Sequence, residues 1–258
     1  MPLDVHPIAP ATTALVNAPA LEAAARARPG VVVAWEERGQ EVMRVADGPP
    51  GTASGPVGVR LTRRSGRLKE RRPNLLILDR DGTLIEDRHY LSDPDRVALL
   101  PGVAAGLREF EKAGFTVVVV TNQSGVARGL VTLDQLAAIH ARLEQVLARE
   151  GVRLDGIYSC PHDGASGCLC RKPGTALVER AATELGVDPA RAIVVGDKLA
   201  DLELGRALGV PTALVTTGYG ARTLTEAANR ADYLVGDLLE LARIVRHPAG
   251  LPVVRTVP

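Results

Sequence analysis

A chain of 258 residues with 46% hydrophobic content holds enough apolar material for one good-sized core and an appendage, so it is not a disordered protein. Its formal net charge of +1 argues against a globally electrostatic partner, either nucleic acid or an anionic membrane, and 3% aromatic residues leave little for base stacking. No run approaches the roughly 20 apolar residues of a transmembrane helix, and no basic segment followed by an apolar one opens the chain, so a cytoplasmic monomer is expected.

Residues 1–28 are rich in Ala and Pro, and Leu15, Leu21 and Ala25 offer only a weak helical stripe. Val31 to Trp35 and Glu41 to Val45 flank Arg38-Gly39-Gln40 and can pair as a hairpin. Asp47 to Gly58 is Gly/Pro-rich and reads as loop. From Arg60 to Arg72 seven Lys/Arg stand against one Glu, which suits a solvated linker better than a phosphate-binding arm. Residues 1–72 carry no recognisable motif; a small degenerate domain and an extension from an upstream start codon both stay open.

From Pro73 the pattern is regular. Leu75 to Leu78 is a short apolar run, as a strand buried on both faces requires. Val103, Leu107 and Phe110 share one helical face, and Gly114 is placed to end that helix. Phe115 to Val120 is a β-branched run that leads into Thr121-Asn122-Gln123-Ser124-Gly125. A second helix opens at Thr132 with Gln135 completing a capping box, and presents Leu136, Ile139, Leu143 and Val146 on one side until Gly151. Strands are expected at Ile157 to Ser159, Ala192 to Val195, Thr212 to Val215 and Tyr233 to Val235. Helices are expected from about Thr175 to Leu185, through Leu202 and Leu208, and near Leu238 to Val245. The alternation predicts an α/β domain over 73–258, a Rossmann-like, mostly parallel, doubly wound sheet with helices on both faces.

Polar residues then fall at strand ends. Asp79 and Asp81 follow the first core strand, Thr121 and Asn122 the second, and Asp197 another, while Arg171 and Lys172 follow the cysteine loop. In a doubly wound sheet these ends converge on one crevice, a setting for a metal or a nucleophile that a chance Asp-x-Asp-Gly turn does not account for. All three cysteines lie in one loop, where Cys160-x-His162 and Cys168-x-Cys170 supply three thiolates and an imidazole, the set of a closed tetrahedral Zn2+ site with a structural task. The other histidines, His6, His89, His140 and His247, have no such company.

The order Asp79-x-Asp81-Gly82-Thr83, Thr121, Lys172, Gly196-Asp197 with Asp201 resembles the haloacid dehalogenase (HAD) superfamily of phosphotransferases from residue 74 to about 246. The resemblance implies that Asp79 is the nucleophile, that Asp81 is the general acid and then the base, and that Thr121 and Lys172 bind the phosphoryl oxygens. Mg2+ would be held by Asp79, Asp197 and the backbone carbonyl of Asp81, with Asp201 supporting the site or capping its helix. Neither Leu84 to Phe115 nor Asn122 to Ala192 is long enough for an inserted cap domain, so a capless, open crevice is expected.

Within that superfamily Asp-Arg-Asp-Gly-Thr, the stretch Thr121 to Gly129, the Cys/His loop and Gly196-Asp197-Lys198 look like the branch that hydrolyses heptose bisphosphates at the 7-phosphate for nucleotide-activated heptose and surface glycans. That likeness implies a phosphorylated sugar as substrate, contacted by Asp87, Arg88, His89, Tyr90, Asn122, Gln123, Ser124, Arg171 and Lys198, with Arg171 holding a second phosphate. The short metal loop and the Gly174-Thr175 step after Pro173 look instead like histidinol-phosphate phosphatases, which stand as the alternative. A non-catalytic zinc module on nucleic acid is a further alternative, disfavoured by the intact phosphoryl-transfer set.

Overall fold

The computed structural model of the protein describes residues 32–37, 40–45, 73–227 and 230–246. The expected stripe of Leu15, Leu21 and Ala25, the loop from Asp47, the basic stretch from Arg60 and the chain after residue 246 lie outside the described residues. Strands β1 (Val32–Glu37) and β2 (Gln40–Val45) form the expected antiparallel pair, with Val32 opposite Val45 and Glu37 opposite Gln40.

The main sheet contains β3 (Leu75–Leu78), β4 (Thr116–Asn122), β5 (Gly156–Cys160), β6 (Ala192–Gly196), β7 (Thr212–Val215) and β8 (Tyr233–Val235). All pair in parallel, in the order β5-β4-β3-β6-β7-β8. The order reverses between β3 and β6, and there the carboxyl ends of two neighbouring strands open a crevice between diverging connections. Every residue of β3 is buried, because alternate side chains enter two different cores. Leu76 and Leu78 join Val117, Val119, Ile193 and Val195 on one face, and Leu75 and Ile77 join Val118, Val120 and Val194 on the other. A period of two that is apolar at every position thus reports helices on both sides of the sheet.

The helices are α1 (Val103–Lys112), α2 (Leu133–Arg149), α3 (Ala176–Leu185), α4 (Leu199–Leu208), α5 (Gly220–Ala227) and α6 (Leu238–Arg246). Leu107 and Phe110 of α1 and Ile139 and Leu143 of α2 fill the first core, while Leu177, Val178 and Ala181 of α3 fill the second. The buried stripe of α2 runs Leu136, Ile139, Leu143 and Leu147, not Val146, which is only half-buried. A step of four after Leu143 keeps the stripe against the sheet where a step of three turns it aside.

Helix α5 was not foreseen, since its eight residues carry little beyond Leu224 and Ala227 for the core. Between β3 and β4 lie only a turn, a 3₁₀ segment (Pro94–Arg96) and α1, so no cap domain covers the crevice from that connection. Among the described residues no helix is long and apolar enough to cross a membrane.

Helix α2 is fixed at its start by a reciprocal cap. Gln135 N donates to Thr132 Oγ1 at 3.1 Å, and Thr132 N donates to Gln135 Oε1 at 2.8 Å. Thr132→Ala is expected to lower unfolding free energy by about 1 kcal/mol, read as a lower denaturant midpoint, with turnover of the folded protein unchanged.

Candidate active site

The turn after β3 sets the geometry. Asp79 N donates to Val195 O at 2.9 Å and carries the β3–β6 ladder one residue past the strand. The amides of Leu84 and Ile85 then fold back onto the Arg80 carbonyl at 2.9 and 3.0 Å, and Gly82 N donates to Ile85 O at 2.8 Å, which leaves the Asp81 carbonyl out of the turn's own bonds. Gly82 has φ 87°, and a Cβ there would run into the Asp197 carboxylate, so the absent side chain makes room for the acid of the neighbouring strand.

Asp197, at the end of β6, is wholly buried. Its Oδ2 accepts from Tyr219 N at 2.8 Å, its carbonyl accepts from Thr223 Oγ1 at 2.9 Å, and Thr217 Oγ1 donates to Gly82 O at 2.7 Å. Gly218 packs so closely that a Cβ would meet both Asp197 Oδ2 and the Gly82 backbone. The other oxygen, Oδ1, is buried with no hydrogen-bond partner. Burial, with the Asp79 charge adding to it, pushes the Asp197 carboxyl up to about 7.

Lys172 lies between two acids. Its Nζ is 2.8 Å from Asp79 Oδ1 and 2.6 Å from Asp201 Oδ1, and all three residues are buried. Burial alone would lower the lysine, but the Asp201 and Asp79 charges outweigh it and hold the ammonium above its ordinary value. Burial likewise raises Asp79, yet Lys172 and Lys198 prevail and the carboxyl stays below its ordinary value. Asn122 grips the loop that delivers the lysine: its Oδ1 accepts from Lys172 N at 2.9 Å and its Nδ2 donates to Lys172 O at 3.2 Å.

Carboxylate oxygens of Asp79, Asp197 and Asp201 lie within 4.8 Å of one another. Asp201 spends Oδ1 on Lys172 and Oδ2 on the backbone amide of Lys198, at the start of α4, at 3.1 Å. A hard divalent cation would therefore find its donors in Asp79, the unpartnered Oδ1 of Asp197 and the Asp81 carbonyl, an all-oxygen set that fits Mg2+.

Asp81 lies buried in the turn after β3. Burial raises its carboxyl above the ordinary range; Arg80 opposes that shift and Asp79 adds to it. Gln123, expected to contact substrate, instead turns its Nε2 inward and donates to Asp81 Oδ2 at 2.7 Å and to Thr121 Oγ1 at 2.8 Å. Asn122, likewise, is engaged with the Lys172 backbone.

Of the remaining expected contacts, Asp87, His89 and Lys198 are brought together. Lys198 Nζ donates to Asp87 Oδ2 at 3.0 Å and lies 4.9 Å from the Tyr219 ring centroid. Tyr219 Oη is 3.3 Å from His89 Nδ1, and Asp87, His89, Tyr219 and Arg222 line a cavity of about 430 Å³. Arg88 pairs with Glu86 and Tyr90 stacks with Arg128, so both turn to neighbours on the rim. Ser124 starts the turn over residues 124–128, its carbonyl accepting from Arg128 N at 3.2 Å, and Arg171 Nη1 donates to His162 O at 3.2 Å. Arg80 and the Thr217–Tyr219 loop were missed. The charge of Arg80 between two acids was a visible signal, whereas the loop carries none that sequence pattern can detect.

The Cys/His loop does close on itself. Cys160, at the end of β5, lies 3.6 Å from His162 Nδ1, 3.7 Å from Cys168 Sγ and 3.3 Å from Cys170 Sγ, with His162 Nδ1 to Cys170 Sγ at 3.2 Å. No disulfide joins the three thiols. Burial pushes Cys160 up to about 12, so its thiolate needs a cation beside it.

A HAD-hydrolase-like family model matches residues 169–241. The D-glycero-beta-D-manno-heptose-1,7-bisphosphate 7-phosphatase of Haemophilus influenzae is 40% identical over 178 residues, covering 66% of this chain and 96% of that protein. Its namesake in Escherichia coli K12 is 39% identical over 180 residues, covering 66% and 93%. Among solved structures, D,D-heptose 1,7-bisphosphate phosphatase from B. bronchiseptica, complexed with magnesium and phosphate, is 38% identical with a TM-score of 0.61, covering 66% of this chain and 96% of that one. A putative HAD-like phosphatase from Mesorhizobium loti is 30% identical with a TM-score of 0.56, covering 74% and 93%.

Since Asp197 is protonated below about 7 in the absence of a cation and must ionise to bind one, a divalent ion has to displace that proton in acid. Apparent Mg2+ affinity should be about tenfold weaker near pH 6 than near pH 8, with close to one proton released per ion at the lower pH and close to none at the higher. Calorimetry in buffers of different ionisation enthalpy measures both.

Proposed function

The chain belongs to the D-glycero-β-D-manno-heptose-1,7-bisphosphate 7-phosphatase family of HAD-like hydrolases, and from that premise we propose that it removes the 7-phosphate of this sugar bisphosphate through an aspartyl-phosphate on Asp79. The support that weighs most is geometric: Asp79 and Asp197 end adjacent strands at the switch point, with Lys172 2.8 Å from Asp79. Lys172 neutralises Asp79 Oδ1 and leaves its other oxygen for attack on phosphorus, in line with the departing C7 oxygen. The Thr121 hydroxyl and the Lys172 ammonium bind the non-bridging oxygens, where charge builds in the transition state. Asp81 protonates the C7 alkoxide as the bond from phosphorus to that oxygen breaks. It then takes a proton from the water that attacks the phosphoryl group, which frees Asp79. Asp79, Asp197 and the Asp81 carbonyl would hold Mg2+, which when bound would supply charge neutralisation for the phosphate.

Arg171, held by the His162 carbonyl, is the group we assign to the second phosphate, since a guanidinium fork grips a phosphate bidentately. Lys198, Asp87 and His89 would face the sugar at the open mouth. The relatives carry the heptose name, and the histidinol-phosphate alternative is not favoured. We further infer that the enzyme works as a cytoplasmic monomer, without nucleic-acid or membrane partners, on the route to nucleotide-activated heptose for surface glycans. We assign residues 1–72 to an extension outside the catalytic domain.

We assign a structural Zn2+ to Cys160, His162, Cys168 and Cys170. A Zn–S bond of about 2.3 Å gives a tetrahedral edge of roughly 3.8 Å, and the Cys160–Cys168 separation of 3.7 Å suits it. With four protein donors no position is left for substrate, so the zinc would stiffen the loop that leads into Arg171 and Lys172.

Asp79→Asn should lower phosphate release from the heptose bisphosphate by at least about a thousandfold while leaving the circular dichroism spectrum unchanged. A screen with both anomers and with histidinol phosphate should show the wild type favouring a heptose bisphosphate. A preference for histidinol phosphate would overturn the substrate assignment.

Elemental analysis of protein purified without chelator should find one zinc per chain that survives dialysis against Mg2+. Cys168→Ser should lower melting temperature and turnover together, because the lysine loop loses its clamp. Absence of zinc would end the assignment.

A further inference from the structure

Two residues around Asp81 have no part in the chemistry assigned so far. Arg80 stands between the two aspartates in sequence and is wholly buried. Its Nε donates to Asp81 Oδ2 at 3.2 Å, and its Nη2 reaches Asp81 Oδ1 at 3.1 Å and Oδ2 at 2.9 Å. Gln123 adds the bond from Nε2 to Asp81 Oδ2 at 2.7 Å and, through its second amide hydrogen, the bond to Thr121 Oγ1 at 2.8 Å. A side-chain amide nitrogen has two hydrogens to give, and here both go to groups of the reaction centre.

We propose that Arg80 and Gln123 are positioning residues that fix the rotation of the Asp81 carboxyl, so that Oδ1 alone is presented to the leaving-group oxygen. This rests on the assignment of Asp81 as the acid that protonates that oxygen. Oδ2 accepts three hydrogen bonds and Oδ1 one, so the lone pair that remains to carry or take a proton belongs to Oδ1. The terminal torsion of an aspartate is broad and roughly twofold, and without the fork and the amide either oxygen could swing into place or out of line. Proton delivery depends on that alignment, and small displacements of a catalytic group cost large factors in rate.

Gln123 also ties the acid to Thr121 on the adjacent strand, so the group that protonates the leaving oxygen and a group that binds the phosphoryl oxygens keep one spacing. Among the described residues Arg80 pairs with the carboxylate of Asp81 alone, and it carries a buried Nη1 with no hydrogen-bond partner. Burying a guanidinium incompletely satisfied is costly, and a merely space-filling role would be better served by an apolar side chain.

The test is first-turnover kinetics, which read transfer of the phosphoryl group to Asp79 and not its later hydrolysis, of Gln123→Leu and Arg80→Met on two substrates: the heptose bisphosphate, whose leaving group is an alkoxide that needs a proton, and p-nitrophenyl phosphate, whose leaving group does not. Expected is a fall in the maximal first-turnover rate on the bisphosphate of roughly ten- to a hundredfold with the half-saturating concentration within about twofold, and a fall of less than about threefold on the aryl ester. Arg80→Met removes a buried charge and can fail to fold; Gln123→Leu, at a half-buried position, carries the test without it. A raised half-saturating concentration with an unchanged maximal first-turnover rate would return Gln123 to substrate contact, and equal first-turnover losses on both substrates would mean general disorder of the site; either result overturns the proposal. Asp81→Asn, assayed alongside, should show the same selective loss. If it does not, the acid assignment fails and the positioning role with it; if Asp81→Asn is selective and Gln123→Leu is not, only the positioning role is overturned.

Discussion

Three carboxylates within 4.8 Å of one another, all buried, repel too strongly to coexist as anions in an otherwise apolar interior. The rest of the site answers that repulsion. One ammonium, Lys172, is driven between Asp79 and Asp201 and shares its charge with both. Asp197 receives only a backbone amide and a close glycine wall, so its share of the charge is left for a cation from outside. Buried pairs of this kind contribute little net stability but are costly to break, since removing one partner strands the other. Such an arrangement suits a centre that must receive a phosphate ester: the protein carries the negative charge in advance, and a divalent ion brings the positive charge that both the protein and the ester require.

Lys172 can hold its position only because the chain before and after it is restrained. Asn122 pairs with its backbone in both directions, and Asn122 is itself opposite Cys160 in the sheet register. Gln123 N donates to Cys160 O at 2.7 Å, and Ala127 N donates to Pro161 O at 3.1 Å, so the loop after β4 and the loop after β5 are stitched together along their length. The cysteine cluster lies at the root of that seam. The Cys/His cluster thereby bears on where the Lys172 ammonium stands, and Arg171, one residue earlier, donates to the His162 carbonyl.

Much of this was legible from the chain. The apolar run Leu75–Leu78 ending in Asp79 carries the pattern of a doubly covered strand, and the alternation of strand and helix fixes where its carboxyl end points. Thr132 with Gln135 announced the start of α2 because capping is local chemistry. Other features depend on contacts far apart in sequence. The choice of Leu147 over Val146 depends on how α2 lies against the sheet, and α5 starts where Gly220 comes so close to the Val215 carbonyl that no Cβ would fit, with little apolar stripe to announce it. The inward turn of Gln123 was hidden because an amide after Thr121 suits a substrate or a catalytic acid equally well, and only tertiary placement decides. Thr217, Gly218 and Tyr219 act through a hydroxyl, a missing side chain and a backbone amide, and none of these leaves a distinctive residue pattern.

The parallel sheet has a further consequence. Its chemistry is gathered from the ends of β3, β4 and β6 and from the loops after Cys170 and Val215, and none of these is joined to the next by a hairpin. Each pairing requires a crossover, so the carboxylates meet only after most of the loop-closure entropy has been spent. A partly collapsed chain would keep its acids dispersed in solvent, where they neither repel nor capture metal. Recovery of activity during refolding should then lag behind recovery of helix, and would report the completed topology rather than the formation of any one part.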